Sequence, residues 1–406
     1  YVKVKHTSVA WTPTDRRGRS SLVAPESCRH IPHMTSPRRA AGETFDLLSA
    51  ELIAAFNGWR PELSSWDEST LDAWARRAFQ LQFEGNTPYR KYCEARRVGP
   101  SDVNGWRDFV PVPTEAFRVV DLLVGPGVDP GLVFRTSGTT RGRSAQGRHL
   151  VRSPELYRAS LRAGFRAFVY DEDNPAKIVT LPPSFTHDAD SSLGWMLDDL
   201  RVGIGLGDGV SVASRAGLDW DRLDTEVSES AEGGRPLCLL GTTLGFAEWL
   251  DRLEDGRSVG SRLPEGTLLM DTGGEKGREG LERGRLLRGL EDQLGIAPPS
   301  IVNEFGMTEL LSQRYGHGDP AAPLVGPPWL RSSVLDPVTL EELPRGETGL
   351  LCHFDLANLG SVCAVLTEDQ GRAAGDGIEW VGRTEGAPPR GCSLATAELL
   401  EAQGNA

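Results

Sequence analysis

No run of about 18 consecutive apolar residues occurs anywhere in the 406-residue chain, so no membrane-spanning helix is expected. The N-terminal stretch lacks the charged, apolar and small-residue succession of a secretory signal, and a cytoplasmic location is the expectation. The Walker phosphate loop, G-x-x-x-x-G-K-[ST], is absent, which excludes the commonest triphosphate cradle. Lysine is scarce: Lys3, Lys5, Lys91, Lys177 and Lys276 are all there are, and arginine supplies most of the positive charge. An excess of positive charge is missing as well. The net charge of −13 argues against nucleic acid or an anionic membrane as the main partner. Cys28, Cys93, Cys238, Cys352, Cys363 and Cys392 form no C-x-x-C pair and show no metal-ligand spacing. Free thiols are therefore expected, without disulfides or a structural zinc site. There is no internal repeat to suggest a solenoid or propeller.

What is present is an ordinary globular composition, 39% hydrophobic and 25% charged, enough for a large core. Residues 1–33 stand apart: Lys3, Lys5, Arg16, Arg17, Arg19 and Arg29 oppose only Asp15 and Glu26, without periodicity, and Met34 is the first methionine. This segment is expected to be disordered or upstream of the native start. Helical spacing of apolar residues then predicts helices over 45–57 and 68–84, the second with Ser69 as its cap. From Leu132 to Phe305 short apolar runs (LVF at 132, KIVTL at 177, PLCLLG at 236, GTLLMD at 266, SIVNEF at 300) alternate with helix-like segments. Such alternation predicts an α/β fold, a mostly parallel sheet covered by helices. After Tyr315 the pattern turns to short β-rich pieces, a smaller subdomain over about 316–383 within a main domain of 34–383. Residues 384–406 read as a short tail.

The candidate chemistry sits at the ends of these runs, where open parallel sheets bind ligands. Residues 134–144, FRTSGTTRGRS, offer hydroxyls from Thr136, Ser137, Thr139 and Thr140 and close backbone approach at Gly138 and Gly142. Arg141, Arg143 and Arg148 bring positive charge. Taken alone, the loop is equally an ordinary surface turn. GTLLMDTGGEKGR at 266–278 ends an apolar strand in Gly273, Gly274 and Lys276. IVNEFGMTE at 301–309 presents Thr308 as a phosphate donor and Glu309 as a magnesium ligand; the bland alternative is a helix start with acidic residues. LTEDQG at 366–371 places Asp369 in a turn, and EWVGRTEGAPPRGCSL at 379–394 carries Arg383 and Cys392. Cys238, inside PLCLLG, reads as core packing, whereas an accessible Cys392 near arginine would have its thiolate favoured.

Taken in order, these motifs resemble the adenylate-forming superfamily, which activates carboxylates with ATP as acyl-AMP. TSGTT at 136–140 is similar to its phosphate loop, FGMTE at 305–309 to its adenine and magnesium motif, EDQG around Asp369 to its ribose-binding motif, and Gly382–Arg383 to its hinge-proximal motif. Within the superfamily the chain resembles the LuxE-type acyl-protein synthetases. That likeness rests on FQLQFEGNTPYRKYC at 79–93, DFVPVPTEAFR at 108–118, LPPSFTHDADSSLGWML at 181–197, TGGEKGR at 272–278 and RGCSL at 390–394. Two departures stand out. Arg141 follows Thr140 where the superfamily loop runs T-G-x-P-K-G, so Arg143 or Arg148 would meet the phosphates. Residues 384–406 are too few for the swivelling C-terminal domain and its lysine, which would be absent or vestigial, leaving Lys276 to neutralise charge.

The resemblance implies ATP and Mg²⁺ as cofactors and a fatty acid as substrate. Thr136 to Thr140 would hold the β and γ phosphates, Glu309 the metal and Thr308 the α-phosphate. Asp369 would meet the ribose, and Gly273, Gly274, Asn303, Glu304 and Phe305 would frame adenine. Trp195, Met270 and Phe305 lie in segments that could line the acyl pocket or belong to the core. Cys392 would accept the acyl group as a thioester for hand-over to a partner such as an acyl reductase. Two alternatives stay open: delivery to CoA or a carrier protein, and a non-catalytic subunit that scaffolds the reductase. Chain length of the acid, pathway and oligomeric state are not written in these residues.

Overall fold

The structure, a computed structural model, describes residues 37–404 except 64–65, 126, 137–145, 274–282, 320 and 384–388. The expectation for residues 1–33 falls outside the described residues. Six strands form the central sheet in the order Arg314–His317, Ile301–Phe305, Leu268–Thr272, Leu237–Thr242, Lys177–Thr180, Val210–Ser211. All neighbours run parallel except the first pair. The strands read as continuous apolar runs because both faces are covered. Ile178, Leu240, Met270 and Val302 point into one core with the helices Pro154–Phe168 and Ser192–Gly203. Their chain neighbours Val179, Leu239, Leu269 and Ile301 join the opposite core beneath Trp220–Gly233, Thr243–Glu254 and Arg283–Leu294. Trp195 and Met270 are core residues of the first layer, Trp195 stacking on Tyr157 at 4.6 Å.

A second sheet is built by Leu330–Leu335, Gly349–Asp355, Ala364–Ala374 and Gly377–Arg383, as the β-rich pattern predicted. It also recruits Val112–Pro113, which pairs in parallel with Val365 and Leu366, so the β-rich layer is not confined to 316–383. Leu132–Arg135 departs from expectation in another way. It pairs with Arg148–Val151 as a separate two-stranded hairpin and does not enter the parallel sheet. The reason is that its two faces differ: Phe134 packs against Tyr157 and Trp195, while Val133 and Arg135 face a groove of about 610 Å³.

The helices Pro37–Gly58, Glu68–Gly85 and Thr87–Ala95 pack beside both sheets, the first through Phe45, Leu48, Leu52 and Phe56 at helical spacing. The cap of the second is Asp67, which accepts from Thr70 N at 2.7 Å; Ser69 only donates its hydroxyl to Asp67. Asp67 competes better because its carboxylate reaches the N3 amide from the non-helical position. The C-terminal segment Arg390–Gln403 is a helix lying against Thr87–Ala95, with Ala395 and Leu399 buried and Gln403 Nε2 donating to Pro88 O at 3.0 Å. Among the described residues, no helix is long and apolar enough to cross a membrane.

Candidate active site

The hairpin closes at its loop end through Thr136, whose amide donates to Gly147 O at 3.0 Å and whose hydroxyl accepts from Gly147 N at 2.9 Å. Ser137, Gly138, Thr139, Thr140 and Arg143 lie outside the described residues, as do Gly274 and Lys276. Arg148 is described. Strand alternation turns it to the groove side, where it pairs with Asp121 at 2.6 Å, while His149 turns inward beside Phe134.

The stretch after Ile301–Phe305 is a turn, so the alternative of a helix start at 306–309 is not realised. Its main chain is fastened from several sides. Thr308 O lies 2.7 Å from His149 Nδ1, and Glu309 O accepts from Asn358 Nδ2 at 2.8 Å. The amides of Leu311 and Ser312 both donate to Asp355 Oδ2 at 2.8 Å, and the Ser312 hydroxyl donates to Asp355 Oδ1 at 2.6 Å. The Thr308 hydroxyl lies 3.5 Å from that of Ser192.

Glu309 is only 6% exposed, and burial pushes its carboxyl up to about 7. Arg383 and Asp369, both sequence candidates, act electrostatically on it, as does Arg118, which was not one. Asp369 and Arg383 are cross-strand partners. Asp369 thus sits inside the long strand Ala364–Ala374 and not in a turn, and the ladder to 377–383 ends on it at Arg383. Burial opposes the charge of Arg383. Its hydrogen bond to Glu368 at 2.9 Å, with Asp369 and Glu309 nearby, nonetheless holds the guanidinium above its usual range.

At the neighbouring strand end, Gly273 adopts φ 90°, the left-handed region that favours glycine, and its Cβ position faces open space. Asp271 is fully buried and held by Thr243 Oγ1 at 2.8 Å, Arg283 Nη1 at 2.6 Å and Asn303 Nδ2 at 3.3 Å. Asn303 and Phe305 are half-buried, whereas Glu304 points inward, where it accepts from the Thr272 hydroxyl. Period-two alternation places it on the face opposite Asn303 and Phe305. Burial pushes the Glu304 carboxyl up to about 7.

Cys392 is 2% exposed, in the first turn of the C-terminal helix. Its Sγ donates weakly to Thr367 O at 3.6 Å and packs among Leu335, Leu350, Leu366 and Cys352. The expectation of an accessible thiol with a favoured thiolate is overturned. Burial pushes the thiol up to about 12, and Glu368 adds to the shift.

The arrangement suits a nucleotide with a divalent cation. Mg²⁺ is commonly held by one or two carboxylates with substrate phosphates completing its shell. Among the described residues no group of three or more His, Cys, Asp or Glu could hold a metal by itself. Glu309, a buried carboxyl whose charged form is disfavoured until a cation arrives, fits that sparse donor set. Sequence reasoning missed His149, Asp355 and Asn358. Their one signal was a polar residue inside apolar runs, RHLV at 148–151 and CHFDLANLG at 352–360.

Comparison with known proteins bears on this geometry. The chain is 23% identical over 340 residues to the long-chain-fatty-acid--luciferin-component ligase of Vibrio harveyi, covering 80% of this chain and 87% of that protein. It is 22% identical over 360 residues to the ligase of the same name from Aliivibrio fischeri, covering 84% and 92%. Among solved structures it matches an open conformation of 2-hydroxyisobutyryl-CoA ligase with TM-score 0.56 at 14% identity, covering 80% of each chain. A postadenylation state of that ligase gives 0.57 at 15%, covering 81% and 73%. The fold is that of adenylate-forming enzymes. The acyl-protein synthetase (LuxE) family matches residues 60–401, and the chain, a ligase, belongs to that family.

Proposed function

We propose that the protein activates a long-chain fatty acid with ATP as acyl-AMP and then transfers the acyl group to the thiol of Cys392, for hand-over to a protein partner such as an acyl reductase. The reading is supported above all by the cross-strand pairing of Asp369 with Arg383 and the action of both charges on the buried Glu309, with Thr308 O 2.7 Å from His149 Nδ1 on the strand Arg148–Val151. A fatty-acid carboxylate oxygen attacks the α-phosphorus and pyrophosphate leaves. Positioning and charge stabilisation dominate such a step. Mg²⁺ bound at Glu309 would neutralise phosphate charge. The Thr308 hydroxyl would donate to the α-phosphate, Asp369 would accept from the ribose hydroxyls, and Arg383 would add positive charge. Gly273 would let the backbone approach adenine. In the second step the thiolate attacks the acyl carbonyl, the thioester forms and AMP leaves.

One observation favours a second reading. Cys392 is buried with its thiol held protonated, so delivery to a soluble thiol, CoA or a carrier protein, needs less movement of this chain. Incubation with radioactive fatty acid and MgATP separates the two. The first reading expects a hydroxylamine-labile label on the protein that is lost in Cys392→Ser, with ATP–pyrophosphate exchange retained. A label that persists in Cys392→Ser, or acyl-CoA as the main product when CoA is supplied, overturns it.

A further inference from the structure

The turn that carries Thr308 and Glu309 has no ladder of its own, yet both side chains must be placed to a fraction of an ångström to serve a phosphate and a cation. Its fixation runs through main-chain groups. Asn358 and Asp355 reach it from the end of the strand Gly349–Asp355 and the turn that follows. His149 reaches it from the hairpin strand Arg148–Val151.

We propose that His149 is a positioning residue for adenylation: a neutral imidazole whose Nδ1–H donates to the Thr308 carbonyl and fixes the phosphate-loop hairpin against the Thr308–Glu309 turn. The inference rests on the adenylation reading for its consequence, but not for its geometry. A carbonyl oxygen can only accept, so at 2.7 Å Nδ1 must carry the proton. The ring is 1% exposed, and its Nε2 has no hydrogen-bond partner among the described residues. A second proton there would be buried and unpaired, so the ring stays neutral. Burial agrees, pushing His149 down to about 4.

The hairpin register makes the tie specific. His149 stands opposite Phe134, two residues from the Thr136–Gly147 pair that closes the loop end, and Phe117 meets the ring edge-on at 5.6 Å. A slip of one residue would bring Arg148 or Leu150 to the Thr308 carbonyl and turn His149 to the groove. One bond therefore couples the placement of the hairpin strands to that of Thr308.

Two variants test this. In His149→Asn the Nδ2 amide hangs from the same Cγ and can donate where Nδ1 did; in His149→Leu apolar volume remains and the donor is gone. For His149→Leu, kcat of ATP–pyrophosphate exchange is expected to fall on the order of ten- to a hundredfold with KM for the fatty acid little changed. Amide hydrogen exchange across 305–312 should quicken. His149→Asn should restore most of both. In ¹⁵N-histidine spectra of the wild type, the signal missing from both variants should show the Nδ1-protonated tautomer. Wild-type protection and kcat in His149→Leu, or an Asn variant no better than Leu, overturns the proposal. A wild type that exchanges pyrophosphate with no acid would overturn the adenylation reading, while hydrogen exchange still decides whether His149 fastens the turn.

Discussion

The turn at 306–309 and the first turn of the C-terminal helix hold their key groups in opposite ways. Thr308 and Glu309 are fastened by their carbonyls, so their side-chain oxygens take no part in that fastening. Cys392 is fastened by its side chain, inside an apolar cluster, with its thiol against a main-chain carbonyl. The first arrangement is preorganised for charge stabilisation, which acts best when nothing has to reorganise. The second would have to open for Cys392 to take an acyl group as proposed. Adenylation is accordingly expected to be the step the observed conformation supports, and acyl transfer the step that requires motion.

The largest effects should fall on opposite sides of that contrast. Cys392→Ser is expected to abolish covalent labelling by fatty acid and leave pyrophosphate exchange within about twofold. Glu309→Gln should act at the first step, cutting exchange by roughly 10²–10³ and the labelling that depends on it. Exchange that survives Glu309→Gln intact would break the comparison at its adenylation end. Alkylation of Cys392 supplies a finer reading. With the thiol near 12, the unliganded protein should react with iodoacetamide slowly at pH 7 and faster as pH rises toward the folded value. A non-transferable acyl-AMP analogue should accelerate it at constant pH, whereas fatty acid with MgATP should block it by forming the thioester. No acceleration would mean that acyl-AMP formation does not release the helix turn.

A stability measurement tests the fastening itself. Asp355 is buried and accepts from the amides of Leu311, Ser312 and Ala357 and from the Ser312 hydroxyl. Asp355→Ala leaves those donors unpaired, and about 3 kcal/mol of stability should be lost, with a lowered Tm that MgATP does not fully restore. A variant as stable as the wild type would mean the turn is held by packing alone.

The strands from 177 to 305 were legible because both their faces are buried, so burial writes itself as apolar runs that need no partner information. The hairpin was half legible. LVF at 132 marks a strand, but nothing local says that Val133 and Arg135 face a groove while Phe134 faces the core. Thr308, Glu309, Asp369 and Arg383 could be nominated because they form contiguous motifs. His149, Asp355 and Asn358 could not, because each acts on main-chain atoms far along the chain, 159 residues away for His149 and Thr308. Cys392 shows the limit from the other side: RGCSL reads as polar and open, and only the packing of Arg390–Gln403 against its neighbours buries the thiol.

Glu304 sharpens the comparison at its smallest scale, because it and Cys392 are both buried acids held toward the neutral form. They differ in what the proposed reaction asks of them: Cys392 would have to ionise, whereas Glu304 is paired with the Thr272 hydroxyl and is given no proton to move. Burial raises Glu304 from 4.5 to about 7, with the Thr272 hydroxyl opposing the shift. An acid whose folded value is raised contributes stability that is fully present below its unfolded value near 4.5 and is lost as pH rises through about 7. Wild-type stability should therefore decline between pH 5 and 8 from this source, by at most roughly 3 kcal/mol. Glu304→Gln removes the titration while keeping a side chain that can pair with Thr272. Its stability curve should be flatter over that range and lie above the wild type at pH 8, with pyrophosphate exchange close to unchanged. Parallel curves would mean that Glu304 is not the titrating group. Lost exchange would support its expected place among the residues that frame the adenine.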